Sequence, residues 1–101
     1  MAVLFIAEYE RLAVGPMGSG QSQIPQEPPI AEQTVAIGGA SASSSAFNAR
    51  TRFVRIHTDA ICSIAFGASP TATDTTKRLA ANQTEYFGVA PGLKVAVKSN
   101  T

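Results

Sequence analysis

The only histidine of the chain, His57, and its only cysteine, Cys62, fall in one stretch, TRFVRIHTDAICSIAFG, with Asp59 between them and Ser63 directly after. Residues of these types can do three kinds of chemistry. A serine nucleophile needs a histidine base within hydrogen-bond reach and a carboxylate to orient it; His57, Asp59 and Ser63 are the right types. A cysteine–histidine dyad would use Cys62 and His57. A metal centre needs three or four ligands, which His57, Cys62 and nearby carboxylates would have to supply.

The spacing argues against all three. On a strand, His57 and Asp59 share a face about 6–7 Å apart. They straddle a turn, and no GxSxG elbow is present. Asp59 reads as a turn residue, because aspartate caps turns through its own side chain. Cys62 has the parity of Ile64 and Phe66, which makes it a small buried hydrophobe whose thiol is silenced by burial. One histidine, one cysteine and scattered carboxylates are too few for a metal, and a cupin-type centre would need several histidines. No enzyme activity, cofactor or metal is expected, and His57 is expected to face solvent.

The elements that position these residues are strands. RFVRIHT alternates, with Val54 and Ile56 on one face and Arg55 and His57 on the other; TDA reads as a turn; ICSIAFG alternates again. Together they predict a β-hairpin with Val54, Ile56, Cys62, Ile64 and Phe66 inward. LKVAVKS places Leu93, Val95 and Val97 inward and Lys94 and Lys98 outward, and Pro91-Gly92 before it suits the centre of a type II turn. Further strands are expected at about 32–37 and 84–89. AVLFIAEY near the start is apolar on both parities, Val3, Phe5 and Tyr9 one way and Leu4 and Ile6 the other. A helix competes there, but no N-cap precedes the segment and Val3, Phe5 and Ile6 favour a strand, which would be covered on both faces.

Residues 15–29, GPMGSGQSQIPQEPP, read as loop, and the single 1–101 β domain is expected to carry a long loop or arm at about 15–31. Five or six short strands with no amphipathic helix predict an all-β fold, an antiparallel β-sandwich or small jelly-roll-like barrel.

The remaining signals are weak. VGPMGSG lacks the lysine and the following helix of a phosphate loop. The NQT at Asn82–Thr84 matches a glycosylation triplet, but the N-terminus has no basic n-region and its apolar run stops at Glu8, so no secretory signal is expected. No run approaches the ~20 apolar residues of a membrane helix, and a soluble protein is expected. Eight basic and seven acidic residues, a net charge of +1, give no electrostatic footprint for nucleic acid. Arg50, Arg52, Arg55, Lys77 and Arg78 are interleaved with Asp59, Asp74 and Glu85 and read as a solvated face. One cysteine allows no intramolecular disulfide. Charged residues are only 15%, which is low for a protein whose whole surface meets water.

The C-terminal half carries a pattern: Cys62–Gly67 as C-x-I-x-F-G, Pro70–Thr73 as P-T-A-T, Leu79–Phe87 ending in E-Y-F, and Gly92–Val97 as G-x-K-V-A-V. Over about residues 50–99 this resembles a group of small bacteriophage virion proteins from head-gene neighbourhoods. The resemblance implies a decoration or cement protein that binds the major capsid protein on the capsid surface, is made in the host cytoplasm, and acts as a homo-oligomer, dimer or trimer. The alternative is a receptor- or carbohydrate-binding β-module of a phage tail or fibre, which would show exposed aromatics on one face. Tyr9 and Tyr86 stand far apart in sequence and count against it. The residues expected at an interface are Val3, Phe5 and Tyr9 from the two-faced strand, Ile24 from the arm, and Arg55 and His57 from the outer face.

Overall fold

Alternation and β-branched content produce strands throughout the computed structural model, which describes residues 2–14 and 21–100. Among the described residues there are ten: β1 (Val3–Tyr9), β2 (Leu12–Val14), β3 (Gln21–Pro25), β4 (Ala31–Ala36), β5 (Ala42–Ser43), β6 (Phe53–Thr58), β7 (Cys62–Gly67), β8 (Lys77–Leu79), β9 (Thr84–Gly88) and β10 (Lys94–Ser99). The fold is all-β, built of antiparallel sheets packed together as a β-sandwich. One sheet has the order β4-β1-β6-β9, the second β5-β10-β7-β8, and β2 pairs only with β3 as a separate two-stranded ribbon. No helix among the described residues is long and apolar enough to cross a membrane.

The first sheet is in register around β1, with Leu4 opposite Val35 and Thr58, and Ile6 opposite Gln33 and Ile56. Residues opposite each other in an antiparallel pair share a face. Leu4, Ile6, Val35, Val54 and Ile56 therefore point inward together, onto Cys62, Ile64, Leu79, Val95 and Val97 of the second sheet, and Ile37 and Phe47 complete the cluster. Burying each such side chain contributes roughly 1.5–3 kcal/mol. The two-faced apolar strand at the N-terminus is thus the centre of a sheet, with Leu4 and Ile6 in the core.

The predicted hairpin of β6 and β7 is not one. Both edges of β6 are occupied, by β1 and β9, while β7 pairs with β10 and β8 in the other sheet. The chain between them is an arch that crosses from one layer to the other. The inward parity of Val54, Ile56, Cys62 and Ile64 holds in either arrangement, which is why alternation alone does not separate them. The side chain that shapes the arch is also different from the one expected. Thr58 Oγ1 donates to Ala60 O at 2.6 Å and accepts from Ala60 N at 3.2 Å, while Asp59 is exposed.

The stretch expected to be loop at 15–29 contains β3. Its sequence, QSQIP, has no apolar alternation to announce a strand, and it pairs with β2 through a shifted register, Leu12 opposite Pro25 and Val14 opposite Gln21. Residues 15–20, with most of the glycine-rich VGPMGSG, lie outside the described residues. The five or six strands expected become ten because β3 shows no alternation and β2, β5 and β8, only two or three residues each, are too short to show a period.

The turn at Pro91-Gly92 forms as expected. Leu93 N donates to Ala90 O at 3.3 Å, and Gly92 takes φ +82°, the left-handed conformation that the third position of a type II turn requires. The outer face of the second sheet is roofed by residues 70–74: Ser43 Oγ reaches Pro70 O at 3.5 Å, Ala72 N donates to Ser41 Oγ at 2.9 Å, and Lys98 pairs with Asp74 at 2.6 Å. Ser63 and Ala96, which point to that side, are fully buried. Among the described residues, the outer face of the first sheet has no such roof over most of its width.

Candidate interaction face

The open face of the first sheet is built in rows across β4, β1, β6 and β9. Phe5 stands between Thr34 and His57, and His57 faces Thr84. In the next row Ala7 stands between Glu32 and Arg55, and Arg55 faces Tyr86. In the third, Tyr9 faces Phe53, which faces Gly88. Five of the six residues expected at an interface, Val3, Phe5, Tyr9, Arg55 and His57, therefore share one face, and the sixth, Ile24, lies at its end on the ribbon.

Their environments differ. Phe5 is 43% exposed, and its ring lies 6.2 Å from that of His57. His57 Nδ1 sits 2.8 Å from Thr84 Oγ1, which fixes the imidazole on the sheet. Val3, Arg55 and His57 are half-buried. Tyr9 departs from the expectation: it is only 4% exposed, stacked on Phe53 at 5.4 Å, with its hydroxyl donating to Glu27 Oε2 at 2.7 Å. Burial, and then the Glu27 carboxylate, push its pKa up to about 12. Tyr9 therefore anchors the chain at the base of the ribbon to the sandwich and leaves little surface exposed.

Beyond that anchor, Leu12, Ile24 and Pro25 of the ribbon and Phe53, Tyr86 and Gly88 of the sheet line an apolar groove. Ile24 and Val14 are each 60% exposed and Tyr86 52%. A second, mixed hollow lies over Ala7, whose small side chain leaves space between Phe5, Glu32, Thr34, Arg55 and His57.

The four reactive residue types of the central stretch do not meet. His57 is on the outer face of the first sheet, Asp59 on the arch, and Cys62 between the layers with no exposure. Burial raises the Cys62 thiol pKa, and Sγ lies 3.5 Å from Thr58 Oγ1. Ser63 points to the far side of the second sheet, where Asn100 Nδ2 donates to its Oγ at 2.6 Å. Stacked sheets are about 10 Å apart, so His57 and Ser63 are on opposite sides of the whole sandwich. Among the described residues no three of His, Cys, Asp and Glu come together as metal ligands. The basic residues are also dispersed: Arg50 pairs with Glu10 at 2.6 Å, Lys98 with Asp74, and Lys77 lies 5.7 Å from the centre of the Phe87 ring.

Sequence reasoning missed Glu32, Phe53 and Tyr86 on this face. Glu32 and Tyr86 are brought there by strand register, which no single strand encodes, while Phe53 has the parity of Arg55 and His57 on β6. It also missed Glu8, 3% exposed at the end of the inner layer, although Glu8 has the parity of Leu4 and Ile6. Its carboxylate accepts from Asn48 N at 2.8 Å, Thr51 Oγ1 at 2.7 Å and Gln33 Nε2 at 3.3 Å, the satisfaction a buried carboxylate needs. Tyr9 and Tyr86, distant in sequence, lie on the same side of one sheet, so their separation is no argument against an aromatic face. No family model, curated protein or solved structure matches the chain.

Proposed function

We propose that the protein is a structural virion component of the decoration type, which docks on a lattice of major capsid protein through its ribbon and the adjoining aromatic groove. The observation that carries this reading is the β2–β3 ribbon, bonded by neither four-stranded sheet, with Val14 and Ile24 each 60% exposed. A two-stranded ribbon alone is marginal in water, and clustered exposed apolar side chains mark interaction sites. Ile24, Tyr86 and Phe53 offer a lattice protein an apolar anchor site beside a projecting arm. The choice of a capsid lattice as partner rests on the resemblance of residues 50–99 to small bacteriophage virion proteins, and the role calls for binding with no chemistry. Purified protein added to expanded capsids that lack it is expected to bind at a fixed copy number and raise their resistance to heat; capsids that take up none, or take it up without saturation, would overturn the reading.

A second reading has its own observation. Phe5, Phe53 and Tyr86 share one face with Arg55 and Glu32, an arrangement on which a sugar ring could stack and hydrogen-bond. Saturable binding to an immobilised glycan, lost in Tyr86→Ala, together with no uptake by capsids, would favour it.

A further inference from the structure

The row Glu32–Ala7–Arg55 carries an inference that is independent of the lattice reading. Ala7 is opposite Glu32 on one side and Arg55 on the other. An acid and a base therefore flank a small residue on the central strand of the open face, each one strand spacing, about 4.8 Å, from β1. The ion pairs among the described residues are Arg50–Glu10 and Lys98–Asp74, so Glu32 and Arg55 pair neither with each other nor with another described side chain. Glu32 is exposed and Arg55 half-buried.

From this arrangement we infer that the face is self-complementary and receives a second copy of the chain about a twofold axis running along β1. Such an axis, lying between two facing copies, turns the β4 side of one sheet over the β6 side of the other and keeps each row opposite itself. Glu32 of each copy then stands over Arg55 of its partner, giving two equivalent cross-pairs. In the neighbouring row Thr34 stands over the partner's His57, whose Nδ1 is already engaged with Thr84; the remaining ring nitrogen is left for the Thr34 hydroxyl. Phe5, 43% exposed, meets its own counterpart on the axis. Ala7, also on the axis, leaves the hollow into which the paired charges fold. A twofold contact requires that every residue be matched by its partner across the axis, and these two rows meet that requirement in charge, hydrogen bonding and apolar contact.

The contact is small. An axis along β1 sets β4, β1 and β6 over their counterparts and leaves β9 outside, so the rows from Val3 to Tyr9 make a contact of about 14 by 20 Å, roughly 300 Å² in plane. Interfaces of that size belong to weak complexes, so dimerisation is expected at tens to hundreds of micromolar, with salt dependence from the charge pairs.

The test is charge reversal read by sedimentation equilibrium across that range of concentration. The intact protein is expected to dimerise. Glu32→Arg and Arg55→Glu are each expected to weaken the dimer by at least about tenfold, because each sets like charges opposite one another. The double reversal is expected to restore it. Mixing the two single variants is expected to give a heterodimer, since one then presents two bases and the other two acids. Both substitutions are on the solvent side, and circular dichroism verifies that each variant is folded. A monomer throughout the range, single variants that dimerise like the parent, or a mixture that stays monomeric would each overturn the inference. The first of these would leave the face open to a different partner, and none bears on whether the ribbon grips a capsid.

Discussion

The hydroxyl of Thr51 donates to Oε1 of Glu8 at 2.7 Å, both residues buried and 43 positions apart in the chain. Through this contact and the Asn48 amide, the central strand of the first sheet holds the segment that returns from the second. Glu8→Ala leaves the buried Thr51 hydroxyl and the Asn48 amide without their acceptor and is expected to cost about 2–4 kcal/mol, with Glu8→Gln costing less because one carbonyl oxygen remains. Urea unfolding followed by circular dichroism measures both. A Glu8→Ala variant as stable as the parent would mean that the clamp contributes nothing.

Tyr9 predicts a pH dependence. Below pH 10.0 the phenol keeps its proton in the folded and the unfolded chain alike. Between 10.0 and about 12 the unfolded chain releases it while the folded one retains it, so stability falls as pH rises through that window and the loss levels off above it. The difference in urea midpoint between the parent and Tyr9→Phe isolates this contribution from other alkaline titrations. It is expected to shift in favour of Tyr9→Phe as pH climbs through the window, and a difference independent of pH would contradict the burial of the phenol.

Cys62 is expected to be inert while the protein is folded. It has no exposed surface, and burial raises its thiol pKa, so little thiolate is available to react. Alkylation with a maleimide or iodoacetamide should be slow in buffer and rapid in urea. Native reactivity equal to that of a free thiol would remove Cys62 from the core.

Gly92 separates backbone strain from crowding. A Cβ there would meet nothing within 4 Å, yet φ is +82°. Gly92→Ala is expected to cost about 1–2 kcal/mol from the left-handed backbone alone. Gly39, also open but without a positive φ, is expected to accept alanine at no cost or with a small gain. Thermal unfolding of the two variants gives the contrast directly, since 1 kcal/mol moves the midpoint of a domain of this size by about 4–8 °C.

The inner layer was legible in the sequence because burial imposes a period of two: Val54, Ile56, Cys62, Ile64, Val95 and Val97 all point where alternation puts them. The turn at Pro91-Gly92 was legible for a local steric reason. Pairing was not. Whether β6 meets β7 edge to edge or across the core depends on which strands claim the edges of β6, and β1 and β9 come from distant parts of the chain. The same limitation hid part of the open face of the first sheet. Val3, Phe5, Arg55 and His57 could be found by the parity of their own strands, while Glu32 and Tyr86 join them only through the registers of β4 and β9. Tyr9 had the right parity for the face and is covered by Glu27, a residue of the segment read as loop.

Docking through the ribbon and its groove is tested most directly by titrating undecorated capsids with the parent protein and with an Ile24→Ser/Tyr86→Ala double variant. Both residues are more than half exposed, at 60% and 52%, so the variant is expected to fold with stability close to that of the parent. The parent is expected to saturate at a fixed copy number per capsid, and the variant to bind at least about tenfold more weakly, the loss of two exposed apolar anchors. Equal binding by a folded double variant would contradict docking through this surface.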